Sequence, residues 1–189
     1  MSRDTIRAFI CFEISDALRQ YLETIIEDGR RFKEAISWTR PGNIHLTLKF
    51  LGNIDAQQRE AVSGVLQKLT GAFRAFAVNI DRLGAFPNFR RPRVFWAGSH
   101  ADNPALQRLV AQLEDELGTY GFEKENRRFT PHLTIGRVKR MPFVKTADFL
   151  KQFEFEPHTI ECREMIFMKS ELNPGGAIYT PLATFPLQP

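Results

Sequence analysis

Around residue 45 the apolar positions of the chain recur at every second residue. In His45-Leu46-Thr47-Leu48-Lys49-Phe50, strand geometry puts Leu46, Leu48 and Phe50 on one face and His45, Thr47 and Lys49 on the other. The first face suits a core; the second suits something polar. Elsewhere the period lengthens to that of a helix. Leu18, Tyr21, Leu22, Ile25 and Ile26 form one apolar stripe, Val62, Val65, Leu66 and Leu69 a second, and Leu106, Leu109, Val110, Leu113 and Leu117 a third. Asp55 with Gln58 reads as a capping box opening the second helix, and Asn103 followed by Pro104 as the start of the third. A short helix is predicted over 146–153, with strands at 7–11, 76–81, 93–97 and 178–185 and a strand-like stretch at 158–168.

The pattern occurs twice. His132-Leu133-Thr134-Ile135-Gly136-Arg137 repeats the opening tripeptide, and two of the four histidines begin it. Chance would produce that in roughly one of a few thousand chains. Before each tripeptide comes an arginine leading an apolar run, Arg7-Ala8-Phe9-Ile10-Cys11 or Arg93-Val94-Phe95-Trp96-Ala97, followed by an amphipathic helix. Each half therefore reads strand, helix, His-x-Thr strand. Strands of alternating hydrophobicity between helices imply an α+β fold of two pseudo-symmetric lobes. Each lobe is an antiparallel sheet covered on its outer face by helices, and the two His-x-Thr strands line a central cleft. The whole chain, 1–189, reads as a single two-lobed domain with an internal repeat at roughly 1–85 and 90–189.

Composition allows a sizeable core: 43% of the 189 residues are hydrophobic and 12% aromatic. The N-terminal apolar run is broken by Arg7 and Glu13, too short for a membrane span and without a signal-cleavage pattern, so a cytoplasmic protein with no membrane association is expected. Cys11 and Cys162 stand in no metal or redox spacing and read as buried free thiols. The net charge of +4 permits an anionic partner. Its carriers cluster at Arg30, Arg31, Lys33 and Arg40, at Arg90, Arg91 and Arg93, and at Arg127, Arg128, Arg137, Lys139 and Arg140.

Two histidines facing one another across a cleft suit general acid and general base catalysis, because imidazole titrates near neutrality. In-line displacement at phosphorus needs a proton taken on one side and delivered on the other. Threonine hydroxyls two residues on can donate to the non-bridging oxygens. A metal site fits less well: His-x-Thr offers one ligand per strand where catalytic zinc takes three, so no metal and no cofactor are expected. The segment 83–93 interleaves aromatic and basic residues, and Phe86 or Phe89 is a candidate for stacking on a base. Lys49 either adds positive potential beside His45 or extends to solvent, and His100 and His158 read as surface residues.

Taken with their flanks, HLTLKFLG and PHLTIGR resemble the paired motifs of the two-histidine (2H) phosphoesterase superfamily, in particular the RNA 2′,3′-cyclic phosphodiesterases once called 2′-5′ RNA ligases. RAFICFEI at the start, Trp38, LGAFPNFRRPRVFW and SELNPGGAIYT extend the likeness over nearly the whole chain. The resemblance implies metal-independent hydrolysis of a 2′,3′-cyclic phosphate at an RNA end to a 2′-phosphate. In that reading His45 is the proton donor to the departing 3′ oxygen, His132 the proton acceptor that activates water, and Thr47, Thr134 and Arg137 hold the phosphate. Strict alternation puts Arg137 on the face opposite His132, so a twist or bulge at Gly136 is needed to bring it round. The expected partner is an RNA or oligonucleotide with a cyclic-phosphate end, bound by a monomer with no obligate protein partner. The same residues also allow joining of a cyclic phosphate to a 5′-hydroxyl end, and a non-catalytic RNA-end or nucleotide binding module is the remaining alternative.

Overall fold

The strand periods build two four-stranded antiparallel sheets and one two-stranded ribbon. The computed structural model describes residues 5–140, 145–174 and 176–189. In chain order the elements are β1 (Ile6–Phe12), α1 (Asp16–Arg30), β2 (Ile36–Trp38), β3 (Leu46–Ile54), α2 (Ala56–Thr70), β4 (Phe76–Ile80), β5 (Arg82–Phe86), β6 (Val94–Gly98), α3 (Pro104–Gly118), β7 (His132–Val138), α4 (Lys145–Gln152), β8 (His158–Cys162), β9 (Glu164–Asn173) and β10 (Gly176–Pro186). The first sheet runs β10-β9-β1-β3, the second β2-β7-β6-β5, and β4 pairs with β8. The stretch predicted as one strand at 158–168 breaks at Arg163. Its first part joins β4 and its second joins β1, so the two parts serve different sheets.

Helices back the sheets by exchange. α1 follows β1 of the first sheet but packs with α4 behind the second, against β7. α3 follows β6 of the second sheet but packs with α2 behind the first, against β3. The result is the expected pair of lobes, with helices outside and the two His-x-Thr strands between. Sequence stripes explain the packing: Leu18, Leu22, Ile25 and Ile26 of α1, Val62, Val65, Leu66 and Leu69 of α2, and the whole predicted stripe of α3 are buried. The caps form as read. Asp55 Oδ1 accepts from Gln58 N at 2.9 Å while the Gln58 side chain accepts from Asp55 N, and Asn103 Oδ1 accepts from Leu106 N at 3.0 Å. Each such cap contributes about 1 kcal/mol.

One core spans both lobes, and a smaller cluster of Phe9, Cys11, Ile166 and Met168, with Tyr179 against it, covers the cleft face of the first sheet. Both cysteines are free and buried, and burial pushes their thiols up, that of Cys162 to about 12, which keeps them out of the reactive thiolate form.

Candidate functional site

The geometry of the two His-x-Thr segments comes from a bulge that they share. In β3, Cys11 pairs with Thr47 and Ile10 with Lys49, so Leu48 is the extra residue. In β7, Trp96 pairs with Thr134 and Phe95 with Gly136, so Ile135 is the extra residue. Both strands bulge at the fourth position of the motif. A bulge reverses the alternation beyond it, so the residue three places after each threonine returns to the threonine's face. In β7 that residue is Arg137, which reaches the cleft side through a bulge one residue before Gly136. In β3 it is Phe50, which leaves the expected core face and stands 59% exposed.

The same shift turns Lys49 away from the face of His45 and Thr47. It pairs with Ile10 of the core face, is 8% exposed, and its Nζ donates to Glu114 Oε2 of α3 and to the Glu123 carbonyl, each at 2.5 Å. It does not extend to solvent, and where it borders the first cavity its charge is already matched by Glu114. His158 is also misread as a surface residue: its ring packs between Tyr21 and Phe155, at 4.7 and 6.2 Å between centroids. His100 does lie at the surface, bonded to Asp81 at 3.0 Å.

Both candidate histidines are held the same way. His132 Nδ1 lies 2.7 Å from the Thr130 carbonyl, two residues back, and the His45 ring bonds the Asn43 carbonyl, also two residues back. A carbonyl can only accept, so in each case a ring N–H donates and the other ring nitrogen takes no part in that bond; His132 lines a cavity together with Thr47 and Phe86. Aromatic rings fix the planes. Phe9 stacks on His45 at 4.6 Å with Tyr179 edge-on at 5.3 Å, and Phe86 meets His132 edge-on at 5.1 Å. Burial lowers His45 to about 4, partly offset by its carbonyl bond and reinforced by the Arg19 cation. His132 is lowered by burial too, with its carbonyl bond opposing and the Arg137 cation adding. Two neutral imidazoles of this kind can accept a proton at once, and can donate one when an anion favours their charged form.

Strands β3 and β7 approach within 8 Å between Cα atoms, and two cavities open where they meet. The first, about 730 Å³, is lined by Thr47, Phe50, Phe86, Thr130 and His132. The second, about 810 Å³, is lined by Phe9, Asn43, Phe50, Arg137 and Tyr179 among others, so it adjoins His45 through the two rings that hold it. Thr47 and Thr134 are half-buried on the cleft faces of their strands. Of the two candidate stacking residues Phe86 stands at the first cavity, whereas Phe89 packs on the core ring Phe95 at 6.4 Å and lines neither cavity. Among the described residues no three histidine, cysteine or carboxylate side chains converge as a metal-binding group. Tyr179 and Phe9, the clamp on His45, escaped the sequence reading. The repeat gave no signal for either: it aligns Phe9 with Phe95, a core ring that pairs with Gly136 and touches no histidine among the described residues, and Tyr179 lies outside the matched segments.

The sequence signature of the 2′-5′ RNA ligase superfamily matches residues 18–174, a stretch that contains both motifs. The chain belongs to that superfamily. Among curated members, the RNA 2′,3′-cyclic phosphodiesterase of Thermotoga maritima is 32% identical over 174 residues, 92% of this chain and 91% of that one. The RNA 2′,3′-cyclic phosphodiesterase of Methanothermobacter thermautotrophicus is 31% identical over 185 residues, 96% and 99% of the two chains. Solved structures share this two-lobed fold. TT0787 of Thermus thermophilus superposes with a TM-score of 0.80 at 23% identity, covering 97% of this chain and 98% of that one. E. coli LigT complexed with 3′-AMP superposes with a TM-score of 0.77, also at 23% identity, covering 98% and 100%. No helix among the described residues is long and apolar enough to cross a membrane.

Proposed function

We propose that the protein is an RNA 2′,3′-cyclic phosphodiesterase that opens the terminal ring without a metal, using His45 and His132 as its acid and base. The observation that carries this reading is the duplicated device: two His-x-Thr segments with the same bulge, each histidine tied to the carbonyl two residues before it. A binding module has use for cations and stacking rings, but none for two matched titratable groups.

Water enters beside His132, which accepts its proton as the new P–O bond forms. The P–O3′ bond breaks, and His45 delivers a proton to the departing O3′. A 2′-phosphate remains on the RNA, and the exchange of one proton at each imidazole balances after a turnover. Thr47 and Thr134 donate to the non-bridging oxygens, and Arg137 adds a fixed positive charge where negative charge accumulates. Because these donors are set before substrate arrives, they stabilise the transition state with little reorganisation.

The test is incubation of a short RNA ending in a 2′,3′-cyclic phosphate in EDTA, with the product terminus identified. The expected product carries a 2′-phosphate and a free 3′-hydroxyl. A 3′-phosphate product, or activity that appears only on adding a divalent metal, would overturn the mechanism. A joined product formed only when a 5′-hydroxyl RNA is added would replace hydrolysis by ligation.

A further inference from the structure

The second cavity differs from the first in its charge. Around the first, carboxylates stand among the cations and pair with most of them: Lys49 with Glu114 and Lys124 with Asp115, while Arg128 bonds Asp102, which leaves Arg127 as the one lining cation without an ion-pair partner among the described residues. The second is lined by Arg7, Arg40, Arg137 and Lys139 and, among the described residues, by no carboxylate. Among the described residues Arg7, Arg137 and Lys139 have no ion-pair partner, and all three side chains are exposed. Arg7 and Arg137 both bear electrostatically on Tyr179, whose ring lies against His45, so the positive field reaches the reactive end of the cavity. A concave surface of one sign concentrates the opposite charge.

Substrate chemistry makes such a surface necessary. In a terminal 2′,3′-cyclic phosphate both the 2′ and 3′ oxygens are bonded to the reacting phosphorus. The rest of the RNA can leave the site only through the 5′ oxygen and its phosphate. The two cavities meet at Phe50, which lines both, so a nucleotide held at the motifs has one cavity on either side. Phe86 at the first cavity offers a face to the terminal base. Arg7, Arg137 and Lys139 line the other, with no carboxylate among the described residues around them.

Resting on the phosphodiesterase reading, we infer that the cavity of Arg7, Arg40, Arg137 and Lys139 receives the sugar-phosphate strand on the 5′ side of the cyclic phosphate, making the protein selective for RNA ends over free cyclic nucleotides. Arg137 serves both the reacting phosphate and the first of the strand. Arg7 and Lys139 serve the strand, and Phe50 separates the terminal base from the next.

The experiment compares kcat/KM for 2′,3′-cyclic AMP and for a short RNA ending in the same cyclic nucleotide, in the wild type and in the Arg7→Ala/Lys139→Ala double variant. Both side chains are exposed, so neither substitution opens the core. The wild type should favour the RNA on the order of 10-fold or more at low salt, and the double variant should remove most of that ratio. In parallel, fluorescence anisotropy of a 2′-phosphate RNA should show the log–log salt slope falling by about 0.7 for each cation removed. Equal kcat/KM for the two wild-type substrates, or a ratio unchanged in the variant, overturns the inference and leaves the phosphodiesterase reading intact. Failure of the wild type to turn over either substrate strikes that reading instead. The strand site is then decided by anisotropy alone, where an unchanged salt slope overturns it and a shallower one supports it.

Discussion

β3 and β7 carry the same motif, the same bulge and the same carbonyl tether, yet diverge from the residue after the bulge onward. In β3 that residue is Lys49, whose chain passes behind the sheet to Glu114 and the Glu123 carbonyl and ties the strand to α3. In β7 it is Gly136, where a Cβ would stand 3.0 Å from both Ile36 and Trp38; the space is filled by the Trp38 ring, which also presses on Gly29 of α1. One strand is fastened to its helix by an ion pair, the other by an indole between two glycines. The next position diverges as well, Phe50 against Arg137. The reactive part of the motif is thus duplicated while its supports and its substrate-facing neighbours are not. Two lobes that exchange their helices can share a chemical device without sharing a way of holding it.

The comparison is broken most directly at the histidines. His45→Ala and His132→Ala should each lower kcat roughly 10²-fold to 10⁴-fold, as loss of one general acid or base does, while the unfolding midpoint stays near the wild type. Because the two act in one step, the double variant should be little worse than the poorer single one. Near-full activity in either single variant would mean that only one lobe does chemistry.

The supports are separated by stability. Lys49→Met leaves the Glu114 carboxylate, 12% exposed, without its cation, and should cost about 3 kcal/mol in urea unfolding. Adding Glu114→Leu should recover most of it, since an apolar pair of similar volume replaces a buried ion pair at little net cost. Gly136→Ala has no such rescue: the indole must shift by a few tenths of an ångström, at about 1–2 kcal/mol. A Lys49→Met variant as stable as the wild type would remove the ion pair as the anchor of β3.

Most of the fold was legible because it rests on periods. The helix stripes, both caps and the repeat follow from local side-chain spacing and return as buried faces in α1, α2 and α3. The His-x-Thr tripeptides were legible for the same reason, being short and identical. Alternation beyond Thr47 and Thr134 failed in both strands through a single cause. An extra residue in a strand leaves no compositional mark, so Lys49 and Phe50 were assigned to the wrong faces, while Arg137 required a twist or bulge that only its proposed role demanded. The break at Arg163 was hidden likewise, because the apolar pattern continues through it while the partner strand changes from β4 to β1. Long-range partners of this kind, including Tyr179 on His45, are set by topology rather than by neighbours in sequence.

The finest distinction between the lobes is electrostatic, and pH reads it. Burial keeps both imidazoles neutral in the unliganded protein at pH 7, His45 at about 4 and His132 below its ordinary value. A cyclic phosphodiester brings one negative charge between them, and an anion at such range favours the protonated ring, so binding raises both values. Since kcat/KM reports the free protein and kcat the complex, the bell for kcat should lie at higher pH than the bell for kcat/KM. Arg137 lowers His132, whereas Arg19 is the cation that lowers His45. Arg137→Gln should therefore move the limb that His132 carries in kcat/KM toward higher pH and leave the other near its place, even as the rate itself falls. Coincident bells for kcat and kcat/KM would mean that substrate charge does not reach the histidines. Equal displacement of both limbs in Arg137→Gln would mean that the two imidazoles titrate as one coupled pair, and that each lobe's cation acts on both.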